Sequence, residues 1–259
     1  MASRQEAPFL VIFTHTAPHE PADPAPRDES LYPNLPLHRP PNFNEQDVLD
    51  KPYWLQERHS LSEEESEEAD EIRRSQLQCL YSLDLAIDEL LKTLEENDRL
   101  DNNFIVYLSD NGYFWGEHRS KRGKANAYEE SILAPFAIRY RSLIPEPRYE
   151  EKLVANIDLA PTIYDLLNLP IPLELDGYSL LPLLRGSTEW RDSLIIENWA
   201  RYGHYKGVRS DRYLYVEWES DLAELYDVDN DPYQLNNLAY ITEYEGIVSE
   251  FRESLEEIE

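Results

Sequence analysis

The chain has 259 residues, 41% of them hydrophobic, and a formal charge of −28 from 52 Asp and Glu against 24 Lys and Arg. That length suits one large domain or two small ones with a sizeable core, and the apolar content argues against wholesale disorder. The acid excess excludes the usual basic nucleic-acid binder and argues against an anionic membrane surface as partner.

No run of 18 apolar residues is present, so no transmembrane helix is expected. The N-terminal stretch has no apolar region closing on a small-residue cleavage site, so no signal peptide is expected. A single cysteine, Cys79, excludes an internal disulfide framework and a multi-Cys zinc site. The acid surplus itself reads either as an ordinary acidic surface or as adaptation to high salt. All eight glycines lie at or after Gly112.

In chain order, Phe9–Phe13 is a continuous apolar run that predicts a buried strand of the parallel-sheet kind. Ten of the 18 prolines lie at or before Pro52, and residues 17–53 read as a long irregular loop. Residues 63–71 carry seven acids in nine positions, a block that predicts a solvated loop or helix start. Leu77, Leu80, Leu83, Ile87, Leu90 and Leu94 repeat at three and four, predicting a helix that ends near Asn97-Asp98. Within it, Cys79 reads as a buried, inert thiol.

Asn103–Leu108 and Pro135–Arg139 predict two more strands. Asp158–Leu167 predicts a short helix with Pro161 tolerated in its first turn. Leu194–Glu197, Tyr205–Arg209, Tyr213–Trp218 and Glu224–Asp227 are short and largely aromatic or branched; the last three predict an antiparallel meander. Residues from about Tyr240 to Ile258 predict a closing amphipathic helix. Strands alternating with helices, then a small antiparallel sheet, give an α/β class.

Several segments could carry chemistry. Asp110-Asn111-Gly112 follows a predicted strand, where open α/β sheets bind ligands. A carboxylate beside an amide oxygen suits a hard cation, although the same tripeptide makes an ordinary turn. His19 follows the first predicted strand and reads either as proton donor or anion ligand, or as a loop histidine bonded to Glu20. His118 lies in the loop after Asp110, facing the same pocket or simply solvated. Lys121-Arg122-Gly123-Lys124 is a basic cluster in a very acidic chain and would attract a sulfate or phosphate. His38, His59 and His204 have no supporting context. There is no Gly-rich phosphate loop and no Gly-x-Ser-x-Gly elbow.

These segments fall in a familiar order. Phe9–His19 ends in Ala17-Pro18-His19. Leu108–Gly112 leads to Gly116-Glu117-His118. Lys124–Ser131 carries Lys-x-x-x-Tyr-Glu and is followed by Ala134-Pro135. Val154–Thr162, Asp176–Pro182 and Glu224–Leu238 complete the set. Together they resemble the sulfatase family, within the alkaline-phosphatase-like superfamily, nearest to glucosamine-6-sulfatase-like members.

The resemblance implies a partial alkaline-phosphatase/sulfatase-like α/β sandwich with a small C-terminal antiparallel sheet and closing helix. Residues 1–190 would be the C-terminal part of the catalytic domain, and 191–259 the small sheet and helix. It implies sulfuric ester hydrolysis of a sulfated carbohydrate or an aryl sulfate. The nucleophile would be a formylglycine, made from the first residue of Cys/Ser-x-Pro-x-Arg, beside a calcium ion. Asp110 and Asn111 would be metal ligands. His19 and Lys124 would be catalytic, holding the sulfate and the leaving oxygen and able to protonate the departing alcohol. His118 and Lys121 would bind substrate.

Departures from the pattern are equally specific. The family's formylglycine motif and its Asp-Asp metal pair do not occur, and Cys79 is followed by Leu-Tyr-Ser-Leu. Half of the calcium site and the nucleophile are therefore missing, and family members are about twice as long. The chain alone is expected to be inactive, with a separate N-terminal sulfatase fragment as the implied partner. A non-catalytic remnant that binds an anion or sugar, and a related phosphoesterase, are the alternatives. Relatives are commonly secreted, periplasmic or lysosomal, and nothing in the chain selects a compartment.

Overall fold

The computed structural model describes residues 7–171, 173–199 and 203–257. After a one-turn helix α1 (Tyr53–Gln56), a long helix α2 runs over Glu63–Glu96. The acidic block forms its first turns. Ser62 accepts from the Glu65 amide at 3.2 Å while Glu65 returns a carboxylate to the Ser62 amide at 2.9 Å, a capping box. Glu63, Glu64 and Glu65 lie where the helix dipole favours negative charge. Beyond Asn97, Asp98 turns left-handed at φ +54° and the helix stops.

The proline-rich loop has little regular structure, so side chains of α2 satisfy its backbone. Gln78 donates to the Glu29 and Leu31 carbonyls at 2.8 and 3.0 Å, and Arg73 donates to the Pro36 carbonyl at 3.0 Å. Arg39 grips Asp70 with two nitrogens at 2.8 and 2.6 Å. Cys79 is buried, and burial pushes its thiol pKa up, as expected of an inert core thiol.

Strand β1 (Ile105–Leu108) pairs antiparallel with β2 (Phe136–Arg139), and a one-turn helix α3 (Glu129–Ile132) lies between them in sequence. The strand expected at Phe9–Phe13 does not form. The segment pairs with nothing among the described residues, and Leu10, Val11, Ile12 and Phe13 stay 77, 59, 77 and 52% exposed. An apolar run becomes a buried strand only when neighbouring strands supply hydrogen bonds and cover its faces. The β1–β2 sheet is two-stranded and offers this run neither. Helix α4 (Leu159–Leu166) and one-turn α5 (Leu181–Leu184) follow.

The C-terminal sheet meets the sequence expectation. Strands β3 (Ser193–Asn198), β4 (Tyr205–Ser210), β5 (Tyr213–Trp218) and β6 (Glu224–Asp227) form one antiparallel meander in that order. Alternation along β5 divides two cores: Leu214, Val216 and Trp218 face one cluster, and Tyr215 the other. The first cluster includes Leu55, Phe114 and Tyr128 from earlier in the chain. The second is closed by Val248, Phe251 and Leu255 of helix α6 (Glu245–Glu256). Among the described residues no helix is long and apolar enough to cross a membrane.

Candidate active site

The site forms where β1 ends. The Ser109 amide donates to the Pro135 carbonyl at 3.1 Å, and the Gly112 amide to the Ser131 carbonyl at 2.8 Å, so residues 109–112 lie against the start of β2 and against α3. A Cβ on Gly112 would stand 2.0 Å from the Glu130 carbonyl oxygen, so only glycine allows this approach. Side chains 110 and 111 are thereby held at the mouth of the sheet, with the Asp110 side chain 81% exposed.

Lys124 reaches the same point from the other arm of the loop. Its Nζ donates to Asn111 Oδ1 at 2.8 Å and lies 3.9 Å from Asp110 Oδ2. The following residue, Ala125, is left-handed at φ +81°. That conformation is costly for alanine. It is held by the Ser131 hydroxyl, which accepts from the Ala125 amide at 3.0 Å, and by Asn198, which donates to the Ala125 carbonyl at 2.9 Å.

His19 is exposed on the adjoining loop, with Nδ1 2.9 Å from the Glu20 carbonyl oxygen. Glu20 anchors that loop to the site: it accepts from the Tyr113 hydroxyl and pairs with Arg122 at 3.2 Å. Burial, and then the Glu20 carboxylate, push the Tyr113 phenol up, so it stays a neutral donor. Lys121 turns to α2 and pairs with Glu68 at 2.7 Å. Asp110, Asn111 and Lys124 therefore come together, His19 lies on a loop that Glu20 ties to Tyr113 and Arg122, and Lys121 is engaged elsewhere.

His118 lies on the inside. It is wholly buried, stacked on the Tyr128 ring at 3.8 Å. Its Nδ1 is 2.8 Å from Glu45, and its Nε2 is 3.1 Å from the Asn42 amide nitrogen, which suits the Nδ1–H tautomer. The structure thus places this side chain beneath the loop instead of in a pocket open to substrate. Asn42 also donates to Glu130 at 2.7 Å, and burial raises the Glu130 carboxyl pKa. Glu117 accepts from His38 and from the Trp115 amide.

This buried layer under the loop has no periodicity and was not legible in the chain. Its partners, 73 to 88 residues apart, give no local signal. Among the described residues, no group of three or more His, Cys, Asp or Glu could hold a metal ion.

A family model described as Sulfatase matches residues 2–169, and one described as N-sulphoglucosamine sulphohydrolase, C-terminal, matches residues 116–259. The chain belongs to the sulfatase family. It is 30% identical over 272 residues to the N-acetylglucosamine-6-sulfatase of Capra hircus, covering 90% of this chain and 48% of that one. To the extracellular sulfatase SULF-1 homolog of Drosophila melanogaster it is 33% identical over 202 residues, covering 76% of this chain and 18% of the other.

Among solved structures, a protein in complex with its substrate D-glucosamine-2-N,6-O-disulfate matches with a TM-score of 0.65 at 29% identity, over 73% of this sulfatase chain and 40% of its own. A 2-O GAG sulfatase matches with a TM-score of 0.74 at 26% identity, over 86% and 52%. The chain thus spans about half or less of these relatives. The α/β architecture with its antiparallel C-terminal sheet and closing helix is that of the family.

Proposed function

We propose that this sulfatase chain supplies the sulfate-binding and leaving-group side of a sulfuric ester hydrolase, with a sulfated carbohydrate as substrate. The observation that carries the reading is Lys124 Nζ at 2.8 Å from Asn111 and 3.9 Å from Asp110 at the exposed end of β1. Lys124 is a fixed cation for sulfate oxygens. His19, on the loop tied down through Glu20, is the second anion contact and the candidate donor of a proton to the departing alcohol oxygen. His118 supports the loop from below, and Lys121 contacts substrate only by leaving Glu68.

Asp110 and Asn111 offer hard oxygen donors of the kind calcium takes, but two of the six to eight it prefers. The donor set fits calcium as a partial site, and a calcium ion held there would neutralise negative charge on a sulfate. No Cys/Ser-x-Pro-x-Arg occurs in the chain, and Cys79 is buried in α2. Turnover therefore needs a nucleophile from outside these residues, which a complementary N-terminal sulfatase fragment would bring. The glucosamine disulfate bound by one structural relative and the N-acetylglucosamine-6-sulfatase relatives favour a sulfated amino sugar. We also propose the division into residues 1–190 and 191–259 as one of topology, since Leu55, Phe114 and Tyr128 share a core with the C-terminal sheet.

Calorimetric titration with sulfate tests the site. Binding is expected in the intact chain, with roughly tenfold loss in Lys124→Ala, the weight of one charge-assisted hydrogen bond. Equal affinity in Lys124→Ala would overturn the assignment. Aryl sulfate turnover by the chain alone, abolished by the same substitution, would overturn the need for an external nucleophile.

A further inference from the structure

An open groove of about 540 Å³ lies between α4, residues 177–179, α5 and residues 187–191, and shares no side chain with the Lys124 cluster. Two aromatic rings stand in its wall. The rings of Tyr178 and Trp190 meet edge to face at 6.0 Å. The Arg191 guanidinium lies against both, 4.5 Å from the Tyr178 ring and 5.0 Å from the Trp190 ring.

The Arg191 side chain is 7% exposed and spends one nitrogen, Nη2, on the wholly buried Asp158 at 2.5 Å. Its Nε and Nη1 are buried without an acceptor. Buried donors are nearly always paired in folded proteins. Packed against both rings and tied to Asp158, the guanidinium fixes the aromatic wall of the groove.

Charge decides which ligand. Asp158 cancels Arg191, and the lining residues Asp165 and Glu189 add two negative charges. A sulfate or carboxylate would meet net repulsion there. Neutral hydroxyls meet none, and they can donate to Asp165 or Glu189. The C–H face of a sugar ring packs on aromatic rings, and the groove volume lies in the range of small-ligand sites. We infer that this groove binds a neutral, unsulfated pyranose unit of a glycan. The assignment stands on these contacts alone and does not depend on the sulfatase reading.

The test follows the Trp190 indole N–H, which donates to the Leu153 carbonyl at 2.7 Å and so has a fixed place in an NMR spectrum. The intact chain is titrated with cellobiose, with chitobiose and with a sulfated disaccharide. Saturable shifts of this resonance are expected with a neutral disaccharide, and weaker binding of the sulfated one.

Tyr178 is 56% exposed, so Tyr178→Ala should fold, and it is expected to bind about five- to tenfold more weakly. Tyr178→Leu keeps apolar bulk and should show the same loss if the aromatic face is what binds. Absence of saturation with both neutral sugars, tighter binding of the sulfated sugar, or wild-type affinity in both variants would overturn the inference. So would a dimer that forms through this groove and dissociates in Tyr178→Ala. Because binding is read at Trp190 and not as turnover, failure of the sulfate site leaves the result intact.

Discussion

The β3–β6 meander and the Phe9–Phe13 and β1 segments use similar short apolar runs and reach opposite outcomes. Leu214, Tyr215, Val216, Leu225 and Tyr226 are at most 0% exposed, whereas Leu10 and Ile12 are each 77% exposed and Tyr107 is 40% exposed. The meander has α6 on one face and the Tyr128 cluster on the other. The β1–β2 sheet has two strands, and the Phe9–Phe13 run has no partner among the described residues. Apolar content gives a segment a reason to be buried, but covering elements decide whether it is.

This contrast is open to direct attack. The largest effect is expected from Leu214→Ala, about 2–5 kcal/mol in urea denaturation, because the side chain is wholly enclosed. Ile12→Ala should stay within about 0.5 kcal/mol. Comparable losses at both positions would mean that the N-terminal run is buried in solution.

A second test concerns the polar centre of the meander. Glu224 accepts from Tyr128 at 2.8 Å, Tyr226 at 2.6 Å and Trp218 at 2.8 Å. Glu224→Gln keeps the shape but sets an amide against these donors, costing about 1–3 kcal/mol. Burial raises the Glu224 carboxyl pKa, with the three donors pulling the other way. The native state therefore holds that proton more tightly than the unfolded chain. The resulting stability is present below the ordinary carboxylate pKa and is lost as pH rises through the raised value. The wild-type advantage over Glu224→Gln should shrink on raising the pH; a gap flat with pH would refute the raised pKa.

The third test is at the sheet rim. The Arg212 guanidinium holds Asp227 down to about 2 from 3.8. That contribution is present above 3.8 and disappears as pH falls toward 2. Arg212 is half exposed and solvent screens the pair, so Arg212→Ala should lower stability only modestly at neutral pH, converging with wild type in acid. Unfolding curves at a series of pH values would reveal it. The smallest perturbation is hydrogen exchange without mutation: β5 amides should exchange near the global unfolding limit and those of residues 9–13 without protection.

Much of the fold was legible for local reasons. Leu77 to Leu94 predicted α2 from helical spacing, and alternation with polar turns predicted β4, β5 and β6, because these periods follow from backbone geometry alone. The acidic block needed its capping partner, Ser62, to be read as helix and not loop. Phe9–Phe13 misled because a local pattern cannot report whether a neighbouring strand exists.

At the site, Asp110, Asn111 and Lys124 could be named from motif order, but their meeting could not. It depends on Gly112 lying against α3 and on Ala125 being pinned by Ser131 and Asn198. The turn of His118 inward, to Glu45 and Asn42, was hidden for the same reason: its partners lie more than 70 residues away.

From its sequence alone, this protein has its family, its acidic surface, the order of its elements and the identities of its polar site residues. Those are properties of composition, local period and motif. Tertiary structure alone decided which apolar segments are covered, which basic side chain stands beside Asp110, and that Arg191 lies buried in an aromatic groove with donors unspent. Each of these rests on contacts between residues distant in the chain, and no local pattern encodes them.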